Sequence, residues 1–192
     1  MLAFSKKLIL ASSSPRRARL LRQVGFEFDV VPSRVNEEYN GGEPLLFARE
    51  MSLLKGEDVA AEYGDAIVLA ADTIVLLNDA ILGKPETPEM AKQMLRELSG
   101  RMHEVITGFT IIDRGTNTSE TDHEITRVRF RELDHDEIDR YVASGSPMDK
   151  AGAYGIQDDF GAVFVERIEG CYYNVVGLPL QKVYGHLKSF IR

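Results

Sequence analysis

Tryptophan is absent from this chain, and cysteine occurs once, as Cys171. A lone thiol excludes an intrachain disulfide framework and points to a reducing, cytoplasmic setting. Nothing near Cys171 in sequence could serve as its base, so it reads as a small core residue. Long apolar runs are also missing. Leu8 to Ala11, which follows Lys6 and Lys7, is only four residues long. It is too short for a signal peptide, and no stretch is long enough to span a bilayer. Without an export signal, the acceptor pattern Asn117-Thr118-Ser119 is read as fortuitous. Positive charge is in the minority, with 23 Lys and Arg against 30 Asp and Glu. A net charge of -7 argues against a broad basic face for nucleic acid. Cations that converge locally could still hold a small polyanion. No GxxxxGK[ST] loop, GxGxxG after a strand, HExxH, Cys/His zinc cluster or serine nucleophile elbow is present. His103, His123, His135 and His186 are scattered and read as structural, with His103 left open because it adjoins a strand.

The remaining composition is ordinary for a globular protein, 44% hydrophobic and 28% charged. A chain of 192 residues suits a single domain over 1–192. It buries on the order of 70% of its unfolded surface and needs no disulfide or metal staple. Leu8 to Ala11 reads as a buried strand. A helix follows from Pro15 with a serine cap, turns Leu20, Leu21 and Val24 inward, and stops at Gly25. Phe26 to Val31 alternates like a strand, and Asn36 to Gly42 is an acidic loop. Glu43 to Glu62 reads as a helix with Leu46, Met51, Leu54 and Ala61 inward. Ala66 to Leu77 is a strand, Asn78-Asp79 a turn, and Pro88 to Leu98 a helix capped by Thr87. Glu104 to Asp113 and Glu124 to Arg131 form a strand pair around Arg114 to Ser119. Asp134 to Ser144 is a helix with Ile138 and Val142 inward, and Gly145 to Gly161 a glycine-rich loop. Ala162 to Ile168 is a strand, and Leu178 to Phe190 holds the last helix. The alternation predicts an α/β fold with a mixed sheet.

Four stretches carry candidate chemistry. In "LILASSSPRRARLL" a strand, a serine turn and a helix start come together. Free N–H groups, the helix dipole, hydroxyls and the forked guanidinium groups of Arg16 and Arg17 would suit an anion. Capping serines with solvated arginines would leave the same local pattern. In "VLAADTIVLL" the charged Asp72 interrupts an apolar strand. That is costly unless it is paired, holds a divalent cation or positions a water, or is bonded to backbone amides. In "LGKPETP" Lys84 sits on a rigid turn and could reach a phosphate, or could simply face solvent. In "SPMDKAGAYGIQ" the glycines allow close approach of backbone to a ligand. Gln157 offers the donor and acceptor that a base edge needs, unless this is a plain surface loop.

Together with "VVGLPL", these stretches resemble the Maf family in the family's own order, from Leu8 to about Leu180. The resemblance implies a mixed β-sheet with flanking helices and a central cleft, related to the inosine triphosphate pyrophosphatases. It implies hydrolysis of a nucleoside triphosphate to the monophosphate and pyrophosphate with Mg²⁺ or Mn²⁺, and a homodimer. Members are also linked to arrest of cell division, so a nucleotide-sensing regulatory module is an alternative. By this resemblance Ser12 and Arg17 bind phosphate, while Lys55, Asp72 and Lys84 form a central polar cluster. Glu38 in "VNEEY" is the matching loop acid, and Glu38 and Asp72 would hold the metal. Arg16, Thr73 and Gln157 are similar to the dTTP/UTP-cleaving branch rather than to the 7-methyl-GTP branch. Two places depart from the pattern. Asp158-Asp159-Phe160 follow Gln157 and bear on base preference. Gly56 stands where alanine is usual and bears on helix packing.

Overall fold

The computed structural model describes residues 5–39, 41–157 and 160–190. The elements run β1 (Lys7–Ala11), α1 (Pro15–Gln23), β2 (Asp29–Val30), α2 (Pro44–Ala60), β3 (Ala66–Leu77) and β4 (Ala80–Leu82). They continue with α3 (Pro88–Leu98), β5 (Met102–Asp113), β6 (Thr118–Phe130), α4 (His135–Ala143), β7 (Val165–Glu169), α5 (Tyr172–Val176) and α6 (Leu180–Leu187). The strand order is β2-β1-β3-β5-β6-β7, with β4 paired to β3. β1 is parallel to β2 and β3, while β4 and β7 pair antiparallel, so the sheet is mixed.

Two compact units share these strands: Met1–Asp72, Thr107–Glu124 and Gly177–Arg192 in the first, Thr73–Ile106 and Ile125–Val176 in the second. In the first unit, Ile9, Ala11, Val68, Ala70 and Ile112 of the sheet pack with Val59 and Ala60 of α2. Of the face that the sequence suggests for α2, only Met51 is buried. Leu46 and Leu54 are 47% and 45% exposed, and Ala61 is exposed as well. Ala48, Ser52 and Gly56 face inward instead, spaced by four residues. They meet Gly108, Thr110 and Ile112 of β5, spaced by two. A Cβ on Gly108 would lie 2.4 Å from the Ala48 carbonyl oxygen, the Ser52 and Thr110 hydroxyls are 2.8 Å apart, and a Cβ on Gly56 would lie 3.1 Å from Ile112. Four helical residues advance about 6 Å and two strand residues about 6.8 Å, so the two series stay in step over two turns. Small residues let the helix backbone approach the strand. The leucines, too large for that gap, stay outside.

Other sequence expectations shift at their ends. Val24 is exposed, and Ser14 caps α1 without a side-chain bond. The second strand shrinks to Asp29–Val30, and β6 begins at Thr118, directly after the turn. Polar residues at 118–124 hide that strand from an apolar pattern. The loop 145–157 contains short 3₁₀ turns at Ser146–Asp149 and Ala151–Ala153, and Phe160–Phe164 is also 3₁₀. β4 and α5 are additions, and Cys171 is half-buried rather than a core residue. As expected, the Thr87 hydroxyl caps α3 by accepting from the Met90 N–H at 3.2 Å. No helix among the described residues is long and apolar enough to cross a membrane.

The second unit has its own core, with Leu95, Leu98, Phe130, Tyr141, Tyr154 and Phe164 at its centre. His103 lies within it, edge-on to Phe130 and Tyr154, its Nε2 2.8 Å from the Tyr154 hydroxyl. Its Nδ1 is buried with no hydrogen-bond partner. Burial pushes the imidazole down to about 4. Proton uptake by the unfolded chain between pH 6.5 and 4 therefore favours unfolding, so His103 removes stability as pH falls through that window. His186 acts in the opposite sense. Its bond to Glu120 (2.7 Å) raises it against the cost of burial, helped by a bond to Asp122 (3.1 Å). Its contribution is fully present below the usual histidine value of about 6.5 and is lost as pH rises through the raised value. Going from pH 7 to pH 5 should cost the protein about 2 kcal/mol through His103. Urea unfolding at the two pH values checks this. His103→Gln should remove that share of the pH dependence whatever its effect at pH 7. An unchanged difference between the two pH values would refute the assignment.

Candidate functional site

The parallel ladder of β1 with β3 ends at the pair Ala11 and Ala70. Ser12 follows on one strand and Asp72 lies two residues further along the other, at the carboxyl end of the parallel ladder, where α/β folds place their ligand sites. Ser12 organises the serine turn. Its Oγ accepts from the Ser14 N–H at 3.1 Å and from Arg17 Nη1 at 3.1 Å. Arg17 is held a second time, with Nε donating to the Gly177 carbonyl at 2.8 Å. Gly177 belongs to the "VVGLPL" stretch, which thereby gains a role: its carbonyl fixes the guanidinium plane. Burial lowers Arg17 from its ordinary value, while the charges of Asp72 and Glu37 oppose the shift and the neighbouring Arg16 adds to it.

Lys55 reaches Asp72 from α2. Its Nζ lies 2.5 Å from Asp72 Oδ1, and the two side chains are only 9% and 8% exposed. Glu37 Oε1 approaches the same Nζ at 2.6 Å. A buried lysine between two carboxylates explains why a strand as apolar as β3 tolerates Asp72. The loop acid that arrives here is Glu37. Glu38 is exposed and accepts from Asn36 Nδ2 at 2.6 Å. Sequence reasoning passed over Glu37, since two adjacent glutamates in a loop carry no signal of which one turns inward.

The structure therefore brings Ser12, Arg17, Lys55 and Asp72 together within the first unit, with Arg16 half-buried beside Arg17. Thr73, Lys84 and Gln157 belong to the second unit. Lys84 is exposed on the turn after β4. Its neighbour Gly83 accepts from the Gly152 N–H at 3.0 Å, which fastens that turn to the loop carrying Gln157. Asp158 and Asp159, expected from the sequence to bear on base preference, lie outside the described residues.

Among the described residues no group of three or more His, Cys, Asp or Glu side chains could cage a metal ion. The Glu37–Asp72 pair fits a different arrangement. Two hard carboxylate oxygens already converge on one cationic nitrogen, and Mg²⁺ is commonly held by one or two carboxylates together with substrate phosphates.

Residues 7–190 match the family of Maf-like proteins. The chain belongs to the Maf family. A dTTP/UTP pyrophosphatase of Aquifex aeolicus is 46% identical over 183 residues, covering 95% of each chain. One of Syntrophomonas wolfei is 49% identical over 179 residues, covering 93% of this chain and 94% of that one. The fold is similar to that of a HAM1 protein from Coxiella burnetii, with a TM-score of 0.56 and 16% identity over 96% of this chain and 99% of that one.

Asp72 and Lys55 differ in what their loss leaves behind. Removing Lys55 strands a carboxylate, whereas removing the Asp72 charge leaves Lys55 with Glu37. Lys55→Met should therefore cost roughly 3–5 kcal/mol, the scale for breaking a buried pair, and Asp72→Asn clearly less. Denaturant midpoints and slopes of the two variants decide the order. Equal losses would show that Glu37 does not compensate.

Proposed function

We propose that this chain hydrolyses nucleoside triphosphates, dTTP and UTP above others, to the monophosphate and pyrophosphate with a divalent cation. The observation that carries the reading is the buried Lys55 ammonium between Asp72 and Glu37, in the unit that also holds Arg17 and Ser12. The match to the Maf family and the names of its relatives support it.

Hydrolysis requires water to attack the α-phosphorus in line while the bond to the α–β bridging oxygen breaks and pyrophosphate departs. Negative charge spreads over the phosphate oxygens. Arg17, already oriented by Ser12 and Gly177, would meet that charge with no reorganisation at the moment of reaction. Lys55 and Lys84 add to it. One such preorganised contact in a dry site is worth about 3–4 kcal/mol. Glu37 and Asp72 are the residues that would hold Mg²⁺ or Mn²⁺, which supplies charge neutralisation on the phosphates when bound. Asp72 would also orient the attacking water and take its proton. Arg16, Thr73 and Gln157 would read the pyrimidine.

Pyrophosphate release from a panel of nucleoside triphosphates tests this. It should be fastest with dTTP and UTP in Mg²⁺ or Mn²⁺, and chelator should stop it. Asp72→Asn should lower turnover by roughly 10²-fold or more while the protein stays folded. Turnover within a few-fold of the unaltered protein would sink the role given to Asp72. Release that favours a methylated purine would move the assignment to another specificity.

A further inference from the structure

We infer that Lys150 is a positioning residue for base selection, acting through the loop that carries Gln157. The inference rests on the reading of Gln157 as a contact to the pyrimidine.

Lys150 is a buried lysine. Its side chain is 8% exposed, and its Nζ donates to the Ser146 carbonyl at 2.6 Å, to the Asp149 carboxylate at 2.9 Å and to the Ser146 hydroxyl at 3.3 Å. Burying an ammonium costs several kcal/mol before pairing, so a surface loop would not keep one there without structural use. The stem of this lysine lies against Gly155. A Cβ at Gly155 would stand 2.8 Å from Lys150 Cε and 3.1 Å from Cδ, and 3.3 Å from Gln157 Nε2. The lysine stem and the glutamine amide therefore flank one spot, which only glycine leaves open.

The rest of the loop is held just as tightly. Gly152 has φ +67, a Cβ there would meet Val75 at 3.0–3.2 Å, and its N–H is bonded to Gly83. Ala153, fully buried, also has positive φ, at 60°, and its N–H donates to the Lys150 carbonyl at 3.1 Å. An alanine in that region costs about 1–2 kcal/mol and persists only where its surroundings impose it.

Such rigidity has a chemical purpose in base selection. A glutamine amide presents a donor on one side and an acceptor on the other. Turned one way it matches the N3–H and a carbonyl of thymine or uracil. Flipped, it matches N3 and the amino group of cytosine. Discrimination between these bases therefore depends on holding the amide one way round, not on the amide alone. Lys150, by filling the space under Gly155 and tying Ser146 to Asp149, supplies that hold.

The test compares kcat/KM for dTTP and dCTP in the full-length protein and in Lys150→Met. The variant should lose the dTTP preference by about tenfold or more, with the KM for dTTP rising more than kcat falls. A purely structural lysine would lower both substrates alike and leave the ratio unchanged, and that result would overturn the inference. Asp149 is 56% exposed, so Asp149→Ala removes one bond to Lys150 without threatening the core. It should shift the ratio in the same direction by a smaller factor, and it carries the test should Lys150→Met not fold. An unaltered protein with no dTTP preference would instead refute the reading of Gln157, and the role of Lys150 with it.

Discussion

The Lys55 ammonium, enclosed by Asp72 and Glu37, sets conditions that much of the first unit must meet. An ion pair this deep forms only if the helix that bears the lysine runs close to the sheet. The Ala48, Ser52 and Gly56 series provides that closeness by letting α2 ride along β5 with almost no side chain between them. The same closeness explains why bulky Leu46 and Leu54 face solvent. The acidic loop before α2 must then fold back far enough for Glu37 to reach the same nitrogen. Strand, helix and loop are thus fixed by one electrostatic requirement, and that requirement sits where the parallel ladder of β1 and β3 ends.

The chemistry divides along the chain at the peptide between Asp72 and Thr73. Residues suited to phosphate and metal, namely Ser12, Arg17, Glu37, Lys55 and Asp72, fall in the first unit. Thr73 and Gln157, the proposed base contacts, fall in the second, together with Lys84. Each group is stiffened by its own means. Arg17 is pinned by a hydroxyl and a carbonyl, while Gln157 rides on a loop whose strained Ala153 is held by its neighbours. Preorganisation of this kind is what lets a site act on charge and shape without moving first.

Much of this was legible in the sequence, for stated reasons. β3 announced itself because it is buried on both faces and so reads as a continuous apolar run, in which one aspartate stands out. The start of α3 was legible because Thr87-Pro88 is a cap followed by a residue with no N–H to satisfy. The inward face of α2 was not legible. Small residues give no hydrophobic signal, and what makes them the buried face is a strand almost sixty residues later in the chain. The first half of β6 was hidden for a related reason, since its polar side chains bond to partners on α6, as Glu120 and Asp122 do to His186. The choice between Glu37 and Glu38, and the burial of Lys150, are decided by backbone direction in loops. Residue type alone says nothing of that.

The acidity of the chain poses a last physical question, because a triphosphate is itself strongly anionic. Screening confines the effect of distant carboxylates to roughly 8 Å at physiological salt, so the balance among groups in contact decides. At that range Arg17 is favourable, but Lys55 with Asp72 and Glu37 makes a cluster that is negative overall. Left so, it would repel the phosphates that Arg17 attracts. A divalent cation held by the two carboxylates would reverse the sign of the cluster and make it attract phosphate instead of repelling it. The charge count of the cluster, rather than any cage of ligands, is thus the physical argument for the proposal that a metal would enter together with the substrate.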